Sequence, residues 1–93
     1  MASIKGTTAT GFKYSINVEC LEDFYILEDL GRAQSGDIMA LSSVLTRMLG
    51  EEQKKALLKH CEDEHGRAKT ERVGDEVAAI FKAAREDRKA KNS

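Results

Sequence analysis

FKYSINVECLEDFYILEDL, residues 12–30, changes its hydrophobic period partway along, and that change decides the fold class. From Phe12 to Glu19 the residues alternate strictly, with Phe12, Tyr14, Ile16 and Val18 on one side and Lys13, Ser15, Asn17 and Glu19 on the other. Successive side chains of a strand point to opposite faces, so this segment reads as a half-buried strand. Downstream, LEDFYILEDLGR reads as a helix from about Leu21 to Arg32, with Gly31 near its end as a C-terminal breaker.

Upstream of the strand, ASIK is placed to pair with it across GTTATG, whose glycines and threonines suit a hairpin loop. A two-stranded hairpin alone is marginal in water, so it must pack on helices or pair with another chain. After Arg32, Ser35 and Asp37 offer N-cap oxygens to a second helix, DIMALSSVLTRML, closed by Gly50. A third, EEQKKALLKHCED, has two glutamates at the positive end of its dipole and its lysines further along. A fourth runs from about Thr70 to Arg88, and the charged end KAKNS frays.

Stepping about 100° per residue, Ile38, Leu41, Val44, Leu45, Met48 and Leu49 of the second helix share an arc of about 140°. Val73, Val77, Ile80, Phe81 and Ala84 of the fourth share about 100°, opposite Asp75, Lys82, Glu86 and Lys89. The third has a narrower stripe of Leu57, Leu58 and Cys61, fitting the edge of a bundle. In the first helix Leu21, Phe24, Tyr25, Ile26, Leu27 and Leu30 scatter almost all the way round. Such a helix is either central to the domain or partly covered by another molecule.

These readings combine into one mainly α (α+β) domain over residues 1–93. An N-terminal β-hairpin (1–19) is followed by a bundle of about four helices (20–88) and a frayed tail (89–93). Composition agrees: the 93 residues are 41% hydrophobic and 33% charged, with no proline or tryptophan. Fifteen basic against sixteen acidic residues give a net charge of −1, so no overall positive field collects nucleic acid or an anionic membrane. No apolar run approaches the roughly 18–20 residues that span a bilayer. Cys20 and Cys61 form no paired framework, and MASIKGTTATG has no apolar signal core, which points to a reduced cytosol.

The segment HCEDEHGR, residues 60–67, concentrates metal-ligand residue types. As a zinc site it offers at most Cys61, His60 and His65, and adjacent helical residues point about 100° apart. As a calcium loop with its invariant glycine at Gly66 it would begin at Cys61 and end at Arg72 in place of the bidentate glutamate. The reading that remains is a polar helix end followed by a glycine turn, with Cys61 a small core residue. No glycine-rich phosphate loop is present, and the paired carboxylates are neighbours on a solvated face. No cofactor or metal is expected. The segment 50–75 also reads as a helix-turn-helix with Lys54, Lys55, Lys59, Arg67, Lys69 and Arg72 at phosphates, which makes a small helical DNA-binding regulator the alternative function. Interleaved acids from Glu51 to Glu71 oppose it.

Taken in order, FKYSINVE, LEDFYILEDL, a GD-started helix ending in LGEEQ (49–53), the turn DEHGR (63–67) and an EVAAIF helix ending in KNS (91–93) resemble the small tail assembly chaperones of long-tailed bacteriophages and prophages of Gram-positive bacteria. The resemblance covers Phe12 to Ser93 and rests on order and spacing, each piece being short. It implies a non-enzymatic protein in the cytoplasm of the bacterial host. Such a protein binds the tape measure protein, keeps it soluble until the tail tube forms around it, and is absent from the virion. It further implies self-association and a longer form made by frameshifting near KAKNS. The surplus apolar surface of the first helix and the hairpin makes Phe12, Tyr14, Tyr25, Ile26 and Leu30 the candidate partner-binding residues.

Overall fold

The structure, a computed structural model, describes residues 3–92, with 89–92 described as backbone. Strands β1 (Ser3–Thr7) and β2 (Lys13–Asn17) form an antiparallel hairpin. A 3-10 turn over Val18–Glu22 leads into α1 (Phe24–Gln34), α2 (Ile38–His60) and α3 (Thr70–Asn92). Ala2 of the expected first strand lies outside the described residues.

The hairpin has the register the alternation requires, with Ile4 opposite Ile16 and Gly6 opposite Tyr14. Ile4, Phe12, Tyr14 and Ile16 all turn inward and are buried. A Cβ on Gly6 would stand 2.5 Å from the Tyr14 hydroxyl, so the absence of a side chain there lets the Tyr14 ring lie across β1.

The outer edge of β2 is closed by a side chain. The Gln53 amide accepts from the Ser15 N–H at 2.8 Å and donates to the Ser15 carbonyl at 2.7 Å, copying one rung of a ladder. Its second proton goes to the Leu49 carbonyl at 2.9 Å, an acceptor left over where the helix breaks.

Against an expectation of about four helices there are α1, α2, α3 and a 3-10 turn, the second and third expected helices running on as α2 across a break at Gly50. Gly50, at φ 80 and ψ 167, breaks the helical backbone and divides α2 into two arms, 38–49 and 51–60. In a straight helix Ser42 and Lys54 would lie about 18 Å apart along the axis, beyond the reach of a lysine. Yet the Lys54 ammonium donates to Ser42 Oγ at 3.1 Å and Thr46 Oγ1 at 3.0 Å, so the arms fold back sharply and Lys54 ties them together.

Helix ends differ from the expectation for local reasons. α1 starts at Phe24, not Leu21, because Asp23 caps it by accepting from the Tyr25 N–H at 2.9 Å. Gly31 stays helical, and the chain turns at Gly36, where φ is 106. Asp37 then caps α2 through the Met39 N–H, as its sequence position required. The backbone of α3 remains helical past Arg88 to Asn92.

The core lies where the hairpin, α1, both arms of α2 and α3 meet. The expected stripe of α3, Val73, Val77, Ile80, Phe81 and Ala84, is buried throughout. In α2 the stripe holds from Val44 to Leu49, but Ile38 is 62% exposed.

Candidate functional site

The loop after α2 has a structural explanation for nearly every residue. Cys61 caps α2 with its backbone N–H and is buried. The Asp63 carboxylate accepts from the N–H groups of His65 at 2.8 Å and Arg67 at 3.0 Å, while the Asp63 N–H donates to the Arg67 carbonyl. The Arg67 and His65 N–H groups hold the Asp63 carboxyl below the usual carboxylate range. Gly66, at φ 79, closes the turn, and an isolated bridge between Glu62 and Ala68 returns the chain to α3. Among the described residues no group of three or more histidine, cysteine, aspartate or glutamate side chains is gathered to hold a metal ion.

Beside this loop lies a polar cluster that no sequence motif announced. Glu76 of α3, only 6% exposed, receives a hydrogen bond on each carboxylate oxygen: Thr8 Oγ1 to Oε1 at 2.7 Å and Thr10 Oγ1 to Oε2 at 2.9 Å. Thr10 spends its one proton on Glu76, so its 2.9 Å contact with His60 Nε2 requires the imidazole to donate. The cluster ties the hairpin loop to the end of α2 and to α3. Cys61, which also borders the small cavity here, has its thiol pushed up by burial first and then by the Glu76 carboxylate, against a smaller opposing effect of Arg72. His60 therefore serves Thr10, and Cys61 is held as a thiol, the opposite of an activated nucleophile.

Apolar surface gives the more distinctive geometry. Of the five candidate contact residues, Phe12 (7% exposed), Tyr14 (7%) and Ile26 (0%) belong to the core. Tyr25 is 62% exposed and lies under the Arg47 guanidinium, 5.0 Å from its ring centre. Leu30 is partly buried and lines a groove of about 1080 Å³ between α1, the first turns of α2, and α3. The structure adds Phe24, Leu27, Ile38 and Met39, all large, apolar and exposed. Only the scatter of apolar residues around α1 signalled this surplus, and the pattern alone did not tell which of its sides faced out.

The helix-turn-helix alternative loses cations that are already engaged. Lys54 is bound to Ser42 and Thr46, and Arg72 donates to the Glu62 carbonyl. No helix among the described residues is long and apolar enough to cross a membrane. No protein-family model, curated protein or solved structure matches the chain.

Proposed function

We propose that this protein is a tail assembly chaperone of a long-tailed bacteriophage or prophage of a Gram-positive host, non-enzymatic and acting in the host cytoplasm. Its client is the tape measure protein, a long helical chain whose apolar stripes are uncovered until tube subunits enclose it. The reading comes from the ordered resemblance of sequence segments. The observation that carries it physically is a small, well-packed domain that leaves Phe24, Tyr25, Leu27, Ile38 and Met39 in solvent. Five large apolar side chains exposed on so small a domain favour a protein-covering role. Self-association along the client extends the coverage, and a frameshifted longer form accompanies the short one.

Co-expression with the phage's tape measure protein tests this directly. The expected result is tape measure protein that stays in the soluble fraction only when this chain is present, in a complex holding many copies of it. Equal solubility with and without it overturns the proposal. For the longer form, the check is the gene: a slippery run near the codons of Lys89 to Ser93 and an overlapping downstream frame are expected, and their absence removes that part.

A further inference from the structure

The groove beside α1 is long enough to take a helix of about five turns. α1 packs on α2 and the 3-10 turn, and α3 packs on α2, β1 and the 3-10 turn, with little direct packing between α1 and α3. Leu30 and Ala33 of α1, Ile38 and Leu41 of α2, and Val77 and Phe81 of α3 line the space between them. Its α3 wall extends from Thr70 to Arg88, about 27 Å at 1.5 Å per residue, or five turns. One end is closed by the ion pair of Arg88 with Glu22 at 3.2 Å. Along the middle of α3 the wall is low: Gly74 and Ala78 are one turn apart, and a Cβ on Gly74 would meet nothing within 4 Å. Low walls of this kind let helix axes approach closely. Between α1, the start of α2 and α3 the groove is thus a helix-length trough with an apolar floor, bordered by the exposed Ile38 and Ala78.

Charge at the rim says what fits there. Lys82 and Arg85 line the groove toward its closed end, with Arg85 also over the Phe81 ring at 6.0 Å, and Asp75 lines it near the open end. The exposed groove residues of α1, the Gln34 amide included, add no charge of their own. Glu86 also reaches the lining, one turn from Lys82, and leaves the Lys82–Arg85 stretch with a net positive character. We infer that the groove docks one amphipathic helix of a partner protein, about 18 residues long, with an apolar stripe at i, i+3, i+4 and i+7 and carboxylates on the flank that meets Lys82 and Arg85. The inference deepens the chaperone reading and rests on it only for the partner's identity; the groove chemistry stands by itself.

The probe is a fluorescein-labelled, end-capped 18-residue peptide with leucines at that spacing and glutamates along one flank, titrated with the full chain and read by anisotropy. Its counterpart carries lysines in place of the glutamates. The glutamate peptide is expected to bind at least tenfold more tightly. Ala78→Trp, at an exposed position on the α3 wall, should weaken binding at least tenfold with the melting temperature unchanged. Lys82→Glu with Arg85→Glu should reverse the preference between peptides. If Ala78→Trp does not fold, Gly74→Leu fills the same space. The inference is overturned if neither peptide binds, if groove filling leaves binding intact, or if the charge reversal changes nothing. It is also overturned if the free protein is a dimer that Ala78→Trp converts to monomer, because a second copy is then the occupant. Peptide binding without solubilisation of the tape measure protein would remove the chaperone function and keep the groove; solubilisation by the Ala78→Trp chain would do the reverse.

Discussion

A single side chain, Gln53, joins the two least self-sufficient parts of the molecule. It supplies the missing neighbour of β2 at Ser15 and satisfies the Leu49 carbonyl at the helix break, using both amide protons and its oxygen. Gln53→Ala leaves three partly buried backbone groups without that partner, so it should cost about 1–3 kcal/mol in urea unfolding. Gln53→Glu should give no rescue although it is nearly isosteric, because a carboxylate has no proton for the Ser15 and Leu49 carbonyls. A Gln53→Glu chain as stable as the original would show that the amide contacts contribute nothing. Asp63 makes a second prediction at this scale. Its folded carboxyl is held below the ordinary value by the Arg67 and His65 N–H groups. A depressed carboxyl contributes stability that is present above its unfolded value, near 3.9, and that disappears as pH falls through the lower folded value. Carboxyl NMR should therefore find Asp63 titrating below the ordinary aspartate value, and Asp63→Asn should flatten the acid limb of stability in that window. An unshifted titration would contradict the hydrogen bonds to this loop.

Two glycines separate what an element needs from what it merely tolerates. Gly50 and Gly74 are alike in space, since an added Cβ meets nothing within 4 Å at either. They differ only in backbone: Gly50 has φ 80 and ψ 167, a region reserved almost wholly for glycine, while Gly74 lies inside regular α3. Gly50→Ala should cost about 1–3 kcal/mol, and Gly74→Ala should gain about 0.5–1 kcal/mol from helix propensity. Equal effects in thermal melts would mean that the bend of α2 is not what Gly50 supplies. The same contrast explains which elements were legible in the sequence. The strand Lys13–Asn17, the buried stripe of α3 and the Asp37 cap follow from period and residue chemistry, which are local. The break at Gly50 was legible as well, but the sharp fold-back of the two arms was not, because it depends on the partners that Gln53 and Lys54 find across the break. Nor was the groove: Ala78 and Gly74 sit on the side of α3 that the pattern assigns to no neighbour, and a groove is a property of how separate elements are arranged.

At the scale of the whole molecule, exposed apolar surface coexists with ordinary compactness. The radius of gyration is 12.8 Å, against about 12 Å for a folded chain of this length, so the exposure of Phe24, Leu27, Ile38 and Met39 does not come from a loosened fold. Fully burying one such side chain is worth about 1.5–3 kcal/mol. Four of them give about 6–12 kcal/mol, against a cost of about 4–15 kcal/mol for bringing two molecules together, so covering the groove in the same event supplies the margin that the four leave narrow. Leu27 lies three residues from Leu30 and seven from Gln34, both groove residues, which places it on the adjoining side of α1 and makes rim and groove one surface. Ile26, next to it in sequence and about 100° round the helix, is fully buried. Function and stability should therefore separate between neighbours. Phe24→Ser with Leu27→Ser should leave the melting temperature nearly unchanged while the tape measure protein returns to the insoluble fraction on co-expression. Ile26→Ala should lose about 2–5 kcal/mol of stability and impair solubilisation only in proportion to the chain that remains folded. If the double variant keeps the tape measure protein soluble, the exposed face of α1 is not the working surface of the proposed chaperone. If it instead melts as early as Ile26→Ala, that face is held by the domain's own fold and was never free to bind.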